Sequence, residues 1–117
     1  MNITAVAVAS AGSNDYSQVH SLLLDNQGKA YAAGYNGGGQ CGVGHSTNLS
    51  DHMPIHLPQG VQGNIAQIQT MGYLTETGSA MRDSDGHVWV CGYGGGHMLG
   101  VSPSSSSSLY LPMRVMF

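Results

Sequence analysis

Residues 34–44 read GYNGGGQCGVG, six glycines in eleven positions. Glycine is costly to order and adds no side chain to a core, so the cluster needs a local reason. Residues 92–102 read GYGGGHMLGVS, nearly the same string 58 positions later. Whatever explains one stretch must explain both.

Outward from the glycines the offset persists. Ser21 falls on Ser79, Asp25 on Asp83, Gly28 on Gly86 and Tyr31 on Trp89. Gly34, Gly42 and Pro54 fall on Gly92, Gly100 and Pro112. A chance overlap of glycine-rich sequence would not keep acid, aromatic and proline in step. Upstream the copies drift, and Ile3 and Val6 match Ile65 and Ile68 at an offset of 62. A longer loop in the first copy, SAGSNDYSQ against MGYLTET, accounts for the change. The chain reads as two repeats, 1–58 and 59–117, that together make one domain.

Each repeat reads as four short strands. TAVAVAS and NIAQIQT are rich in small and β-branched residues, which suit a pleated sheet. SQVHSLLLD and KAYAAG flank the turn NQG, and GSAMRDS and HVWVCG flank DG. Gly28 and Gly86 would supply the positive φ of these hairpins. A fourth strand is placed after each proline, in PIHL and PMRVMF. No segment keeps a helical period over the ten to twelve or so residues that a helix needs. The expected fold is all-β: two four-stranded antiparallel propeller blades.

HSLLLDNQGKAYAAGYNGGGQCGVG and GSAMRDSDGHVWVCGYGGGHMLGVS resemble the repeat of the regulator of chromosome condensation family. That repeat has the form H-S-x-x-L-x-x-x-G-x-V-[YW]-x-W-G-x-N-x-x-G-Q-L-G-x-G, then a polar loop and a proline. The resemblance covers nearly the whole chain. Departures are Ala33 and Cys91 at a position often held by Trp, Cys41 for Leu, Met98 for Gln and Gly94 for Asn. The resemblance implies that the glycines are structural. Gly34 and Gly92 would let backbones approach closely as the chain turns against the next blade. Gly42 and Gly100 would take special backbone angles, and Cys41 and Leu99 would plug the gap between blades.

Two blades do not close a ring, since propellers have about four to eight. The apolar face left on each side needs a neighbour. Self-association is therefore expected, three chains giving six blades or four giving eight, with head-to-tail contacts. A piece of a longer protein, or completion by partner chains, are the alternatives.

Composition narrows the function. Three Lys and Arg against six Asp and Glu give a net charge of −3, and charged residues are 8% of the chain. Nucleic-acid binding rests on clustered cations, so no nucleic-acid partner is expected. No run has the roughly 18 apolar residues of a membrane span, and the start MNITAVAVAS lacks a basic n-region. Virion or cytoplasm are the compartments left open. Asn2-Ile3-Thr4 and Asn48-Leu49-Ser50 match the glycosylation sequon but read as chance without a secretion signal. Two cysteines are too few for a disulfide scaffold, and both read as buried thiols, with a single disulfide as the alternative.

Residues that carry chemistry are better explained structurally. The glycine tract lacks the Lys-Ser/Thr ending of a phosphate loop. His45, His52, His56 and Cys41 fit no familiar zinc spacing. Asp83 and Asp85 flank a hairpin turn, where Asp bonds its own backbone. His20 precedes a serine without an indicated acid partner. SPSSSSSLY reads as a solvated connection. No catalytic, cofactor or metal site is assigned.

The expected function is a non-enzymatic interaction or structural module that presents the loops 12–18, 45–53, 59–64 and 102–110 to a protein or glycan. A phage tail or adhesion component is the specific form, suggested by the polar, nearly uncharged Gly-, Ser- and Asn-rich surface and by resemblance to tail proteins with this repeat. Small-GTPase regulation by nucleotide exchange, which the resemblance implies, and a metal-dependent hydrolase are the alternatives.

Overall fold

A computed structural model of the chain describes residues 2–10, 19–73, 76–92 and 108–115. Eight strands follow in order: β1 (Ile3–Ser10), β2 (Val19–Asp25), β3 (Ala30–Gly34), β4 (Leu49–Pro54), β5 (Ile65–Tyr73), β6 (Glu76–Asp83), β7 (Val88–Gly92) and β8 (Leu109–Arg114). They form two antiparallel meanders, β1-β2-β3-β4 and β5-β6-β7-β8. No helix occurs among the described residues. The fold is all-β, two four-stranded blades, as the repeat requires.

The registers repeat with the sequence. Leu22 pairs with Ala32 and Ala80 with Val90, while Ser21 pairs with Ala33 and Ser79 with Cys91. In β1 the register slips between Ile3 and Ala5, and in β5 between Ile65 and Gln67. The bulge itself is therefore part of the repeat, and it confirms the offset of 62 read for the first strand.

Alternation along β2 divides its two faces. Leu22 and Leu24 are buried, whereas Ser21 and Leu23 are only half-buried. The buried face of the first blade meets the second, and one core spans both. Leu22, Leu24, Ala30, Ala32, Cys41 and Ile55 pack with Ile65, Ile68, Met81 and Cys91. The seam is thus the hydrophobic core, and among the described residues neither blade has a separate one of comparable size.

The fourth strands depart from expectation. β4 ends at Pro54 and does not begin there, and β8 runs through Pro112. Both are edge strands, where a proline without an N–H is tolerated. After Pro54 the Ile55 amide still bonds the Ala30 carbonyl at 3.0 Å, and its side chain becomes fully buried. Ile55 is therefore a core residue, not the start of a strand. The segment expected as the loop MGYLTET also differs: Gly72 pairs with Thr77 and Tyr73 with Glu76, so most of it extends a hairpin.

The close approach at Gly34 and Gly92 is made to the blade's own second strand, not to the neighbouring blade. Gly34 lies opposite His20 with φ +107, and a Cβ there would collide with the Val19 carbonyl. At Gly92, φ +126, a Cβ would sit 2.6 Å from Gly78 Cα and 2.8 Å from the Thr77 carbonyl. Contact with the next blade comes later in the tract. A Cβ on Gly39 would lie 2.5 Å from the Leu109 carbonyl, and the Gly44 amide bonds the Tyr110 carbonyl at 2.8 Å. Gly42 has φ +64, and a Cβ on it would lie 3.0 Å from Cys91 Sγ and 3.3 Å from Pro112 Cγ. Leu99 and Gly100 lie outside the described residues.

Candidate functional site

The most regular side-chain arrangement is an acid clamp in each hairpin. Asp25 Oδ1 accepts the Gln27 and Lys29 amides, both at 2.9 Å, and Oδ2 accepts the Tyr31 hydroxyl at 3.1 Å. Asp83 Oδ1 accepts the Asp85 and His87 amides at 3.0 and 2.9 Å, and Oδ2 accepts Trp89 Nε1 at 3.1 Å. The backbone bonds follow from the turn position of Asp. The aromatic bond follows from no turn rule, and its one trace in the sequence is an aromatic with a polar hydrogen six residues after Asp in both repeats. The Lys29 amide, then desolvation opposing it, set the balance at Asp25, and the carboxyl is held below the usual range. At Asp83 desolvation pushes upward but the Trp89, His87 and Asp85 donors outweigh it.

Asp83, Asp85 and His87 bring ligand atoms within 4.8 Å of one another, alone among the described residues. Asp83 already accepts three hydrogen bonds, so the cluster is the turn clamp itself. The histidines weighed for zinc form no such cluster among the described residues. His52 Nε2 meets Ser21 Oγ at 2.9 Å, and His45 Nδ1 accepts the Thr47 amide at 3.1 Å. Cys41 is fully buried, and burial pushes its thiol up to about 12; the Cys91 thiol is pushed up as well. Both cysteines are free, and thiols so hard to ionise are poor nucleophiles.

Removing the clamp has a measurable consequence. Asp83→Ala leaves an indole N–H and two amides without their acceptor, whereas Asp83→Asn keeps one oxygen for the amides. Thermal unfolding should show a loss of roughly 5–15 °C for Asp83→Ala and clearly less for Asp83→Asn. Equal losses in both variants would show that the amide bonds contribute nothing.

The glycine tract is closed by its own side chains. Asn36 Oδ1 accepts the Cys41 amide at 2.9 Å, and Asn36 Nδ2 donates to the His45 and Thr47 carbonyls at 2.8 and 3.0 Å. Gln40 Oε1 accepts the Gly38 amide at 2.9 Å. The Gly38, Gly39, Cys41, Gly42 and Gly44 amides are thus all engaged within the chain.

Beneath it runs a buried polar chain across the seam. His20 Nε2 lies 2.9 Å from Ser79 Oγ, which donates to the Gln40 carbonyl at 2.6 Å. Ser79 has one proton and gives it to Gln40, so His20 Nε2 carries a hydrogen and donates to Ser79. Gln40 Nε2 donates to Thr77 Oγ1 at 3.0 Å. The chain ends in a carbonyl and a hydroxyl, with no acid, and it is buried. It ties the two blades together.

Solvent-facing geometry lies instead along one rim. The Asn26 amide bonds the Asn2 carbonyl at 2.8 Å, the Gly63 amide the Gly28 carbonyl at 3.2 Å, and the Ser84 amide the Asn64 carbonyl at 2.8 Å. Successive turns are thus stitched into one ridge. An open cavity of about 350 Å³ sits on it, lined by Asn2, Asp25, Asn26, Gln27, Lys29 and Tyr31.

With this geometry in view, the similarity to known proteins is informative. No protein-family profile matches the chain. Over 96 residues it is 34% identical to an X-linked retinitis pigmentosa GTPase regulator homologue of Caenorhabditis elegans, which is 82% of this chain and 6% of that protein. It superposes on the crystal structure of human WBSCR16 with a TM-score of 0.70 at 23% identity, over 98% of this chain and 25% of that one. The chain therefore spans a quarter or less of either protein. The structural likeness shows the fold, and the sequence likeness supports a propeller repeat like that of the regulator of chromosome condensation.

Proposed function

We propose that this chain is a non-enzymatic protein-interaction module, with a small GTPase or a GTPase-bound assembly as the class of partner. The stitched rim carries the reading: it displays Asn26, Gln27, Lys29, Asn64 and Asp85 from turns whose backbones bond one another. Rigid presentation lowers the ordering cost of binding. The GTPase class follows from the name of the Caenorhabditis relative. A panel of purified small GTPases, GDP-loaded and nucleotide-free, tests it by calorimetry and by release of a fluorescent GDP analogue. Saturable binding that weakens about tenfold in the Asn26→Ala/Gln27→Ala/Lys29→Ala variant is expected. Accelerated GDP release would mark an exchange role, and binding without it a scaffold. Absence of binding across the panel overturns the reading.

The sparsely charged composition, with 18 glycines, favours a second reading as a structural or adhesive component of a virion tail. Its matching test is a glycan array, on which retention of the chain replaces the GTPase reading.

A further inference from the structure

Asn36 is the only asparagine of this chain that precedes a glycine. Such a pair is chemically weak. The glycine has no Cβ to obstruct its amide nitrogen, and its backbone freely takes the angles that bring that nitrogen onto the asparagine side chain. The Gly37 nitrogen can attack Asn36 Cγ, forming a C–N bond and closing a succinimide ring. The Gly37 amide proton leaves with Nδ2 as ammonia. Water then opens the ring at one of its two carbonyls and leaves aspartate or isoaspartate at position 36. Water is the one co-reactant.

The closed glycine tract opposes this reaction. Asn36 is fully buried. Its Oδ1 is held by the Cys41 amide and its Nδ2 by the His45 and Thr47 carbonyls, while its own amide bonds Asn48 Oδ1 at 2.9 Å. Moving Cγ onto the Gly37 nitrogen and releasing Nδ2 gives up the side-chain bonds. Gly37 is pinned as well: the Tyr35 ring lies against it, and a Cβ there would be 2.6 Å from Tyr35 Cζ. The product does not fit the closed tract. An aspartate keeps an acceptor for the Cys41 amide but turns a buried charge toward the His45 and Thr47 carbonyls, with both donors gone. An isoaspartate also carries the main chain through its Cβ, adding an atom to a loop whose Gly38, Gly39, Cys41, Gly42 and Gly44 amides are engaged. Gln40 and Cys41 of that loop belong to the seam, so damage at position 36 reaches both blades. The second repeat has Gly94 at this position, which leaves the first tract with the one reactive pair.

We propose that Asn36-Gly37 is a site of spontaneous hydrolytic modification, hidden while the glycine tract is closed, and that once it has reacted the tract does not close again. An opening of the first tract is thereby recorded permanently. Three hydrogen bonds of ordinary strength correspond to roughly a hundredfold reduction in the reactive population, so native and unfolded chains differ in rate by at least that factor. The inference stands independently of the GTPase reading, since it concerns the tract and not the rim.

Incubation of the wild-type chain at mildly alkaline pH, with and without urea and with reductant to keep Cys41 and Cys91 as thiols, tests it. The chymotryptic peptide that starts at Asn36 is followed by mass and by labelling with an isoaspartate methyltransferase. In urea it is expected to convert as fast as an unstructured Asn-Gly peptide, and in the native chain at least about a hundredfold more slowly. A smaller ratio overturns the proposal. After dilution from urea, the fraction that regains the native circular dichroism spectrum is expected to equal the fraction with Asn36 intact. Modified chains that refold with the wild-type urea midpoint overturn the proposal. So does a loss of refolding after the same time in urea at mildly acidic pH, where the Gly37 nitrogen does not attack, since the damage would then lie elsewhere. Asn36→Asp supplies the aspartate product directly. It is expected to fail to fold or to unfold at clearly lower urea, and a wild-type midpoint overturns the claim that the modified tract stays open.

Discussion

Gly92→Ala should leave little folded protein at room temperature, while Gly60→Ala remains folded with a loss of about 1 kcal/mol. Both glycines have positive φ, +126 and +92, so both substitutions carry backbone strain. The difference is space. A Cβ on Gly60 has nothing within 4 Å, but on Gly92 it would lie 2.6 Å from Gly78 Cα and 2.8 Å from the Thr77 carbonyl. Those are backbone atoms of the paired strand, and they cannot yield without parting β6 from β7. Thr77 accepts the Gln40 bond and Gly78 adjoins Ser79, so a shift of this strand also breaks the seam. Strain of about 1–3 kcal/mol plus the clash should exceed roughly 4 kcal/mol, a large share of a small domain's stability. Urea unfolding checks the pair. A Gly92→Ala midpoint close to that of Gly60→Ala would show that β6 moves freely.

The same tract shows what could be read without coordinates. Periodicity placed the blades, because Asp, aromatic, Gly and Pro recur in step and each answers a local demand. Asp25 and Asp83 fill their own turns, and Gly28 and Gly86 take positive φ there. These are interactions between residues near in sequence. Pairings across the seam left no such trace. His20 lies 59 residues from Ser79, and Gln40 lies 37 from Thr77. Nothing in the local pattern marks Gln40 as a donor to the next blade, and its counterpart Met98 read only as a departure from the repeat. The prolines misplaced the fourth strands for a related reason. Proline in a sequence reads as a strand boundary, but on an edge strand its missing N–H faces no partner, and pairing reaches Pro54. The surface loops conveyed least, since polar residues in a connection satisfy solvent whether or not they also meet a partner.

Acid should loosen the seam well before it titrates the turn carboxylates, and His20 is the group responsible. Burial removes water from its ring and lowers its pKa from 6.5 to about 4, with the Gly78 carbonyl opposing the fall only in part. Nε2 is engaged with Ser79, and Nδ1 is buried without a partner. A second proton would therefore have to enter at Nδ1, in a buried seam where the described residues offer no acid to balance it. The folded value is depressed, so the unfolded chain takes the proton first. The contribution to stability is complete above pH 6.5 and is lost as pH falls toward 4. The gap is worth about 3 kcal/mol at most. Asp25 and Asp83 act in a lower window, because their carboxyls sit below the ordinary 3.8 and release their contribution only as pH falls past it. Urea midpoints measured between pH 7.5 and 4.5 should fall in the wild type. In His20→Gln, whose side-chain amide can still donate to Ser79, the curve should be nearly flat over the same range, at lower stability near neutrality. A His20→Gln variant that loses stability with acid as steeply as the wild type would move the effect away from the seam.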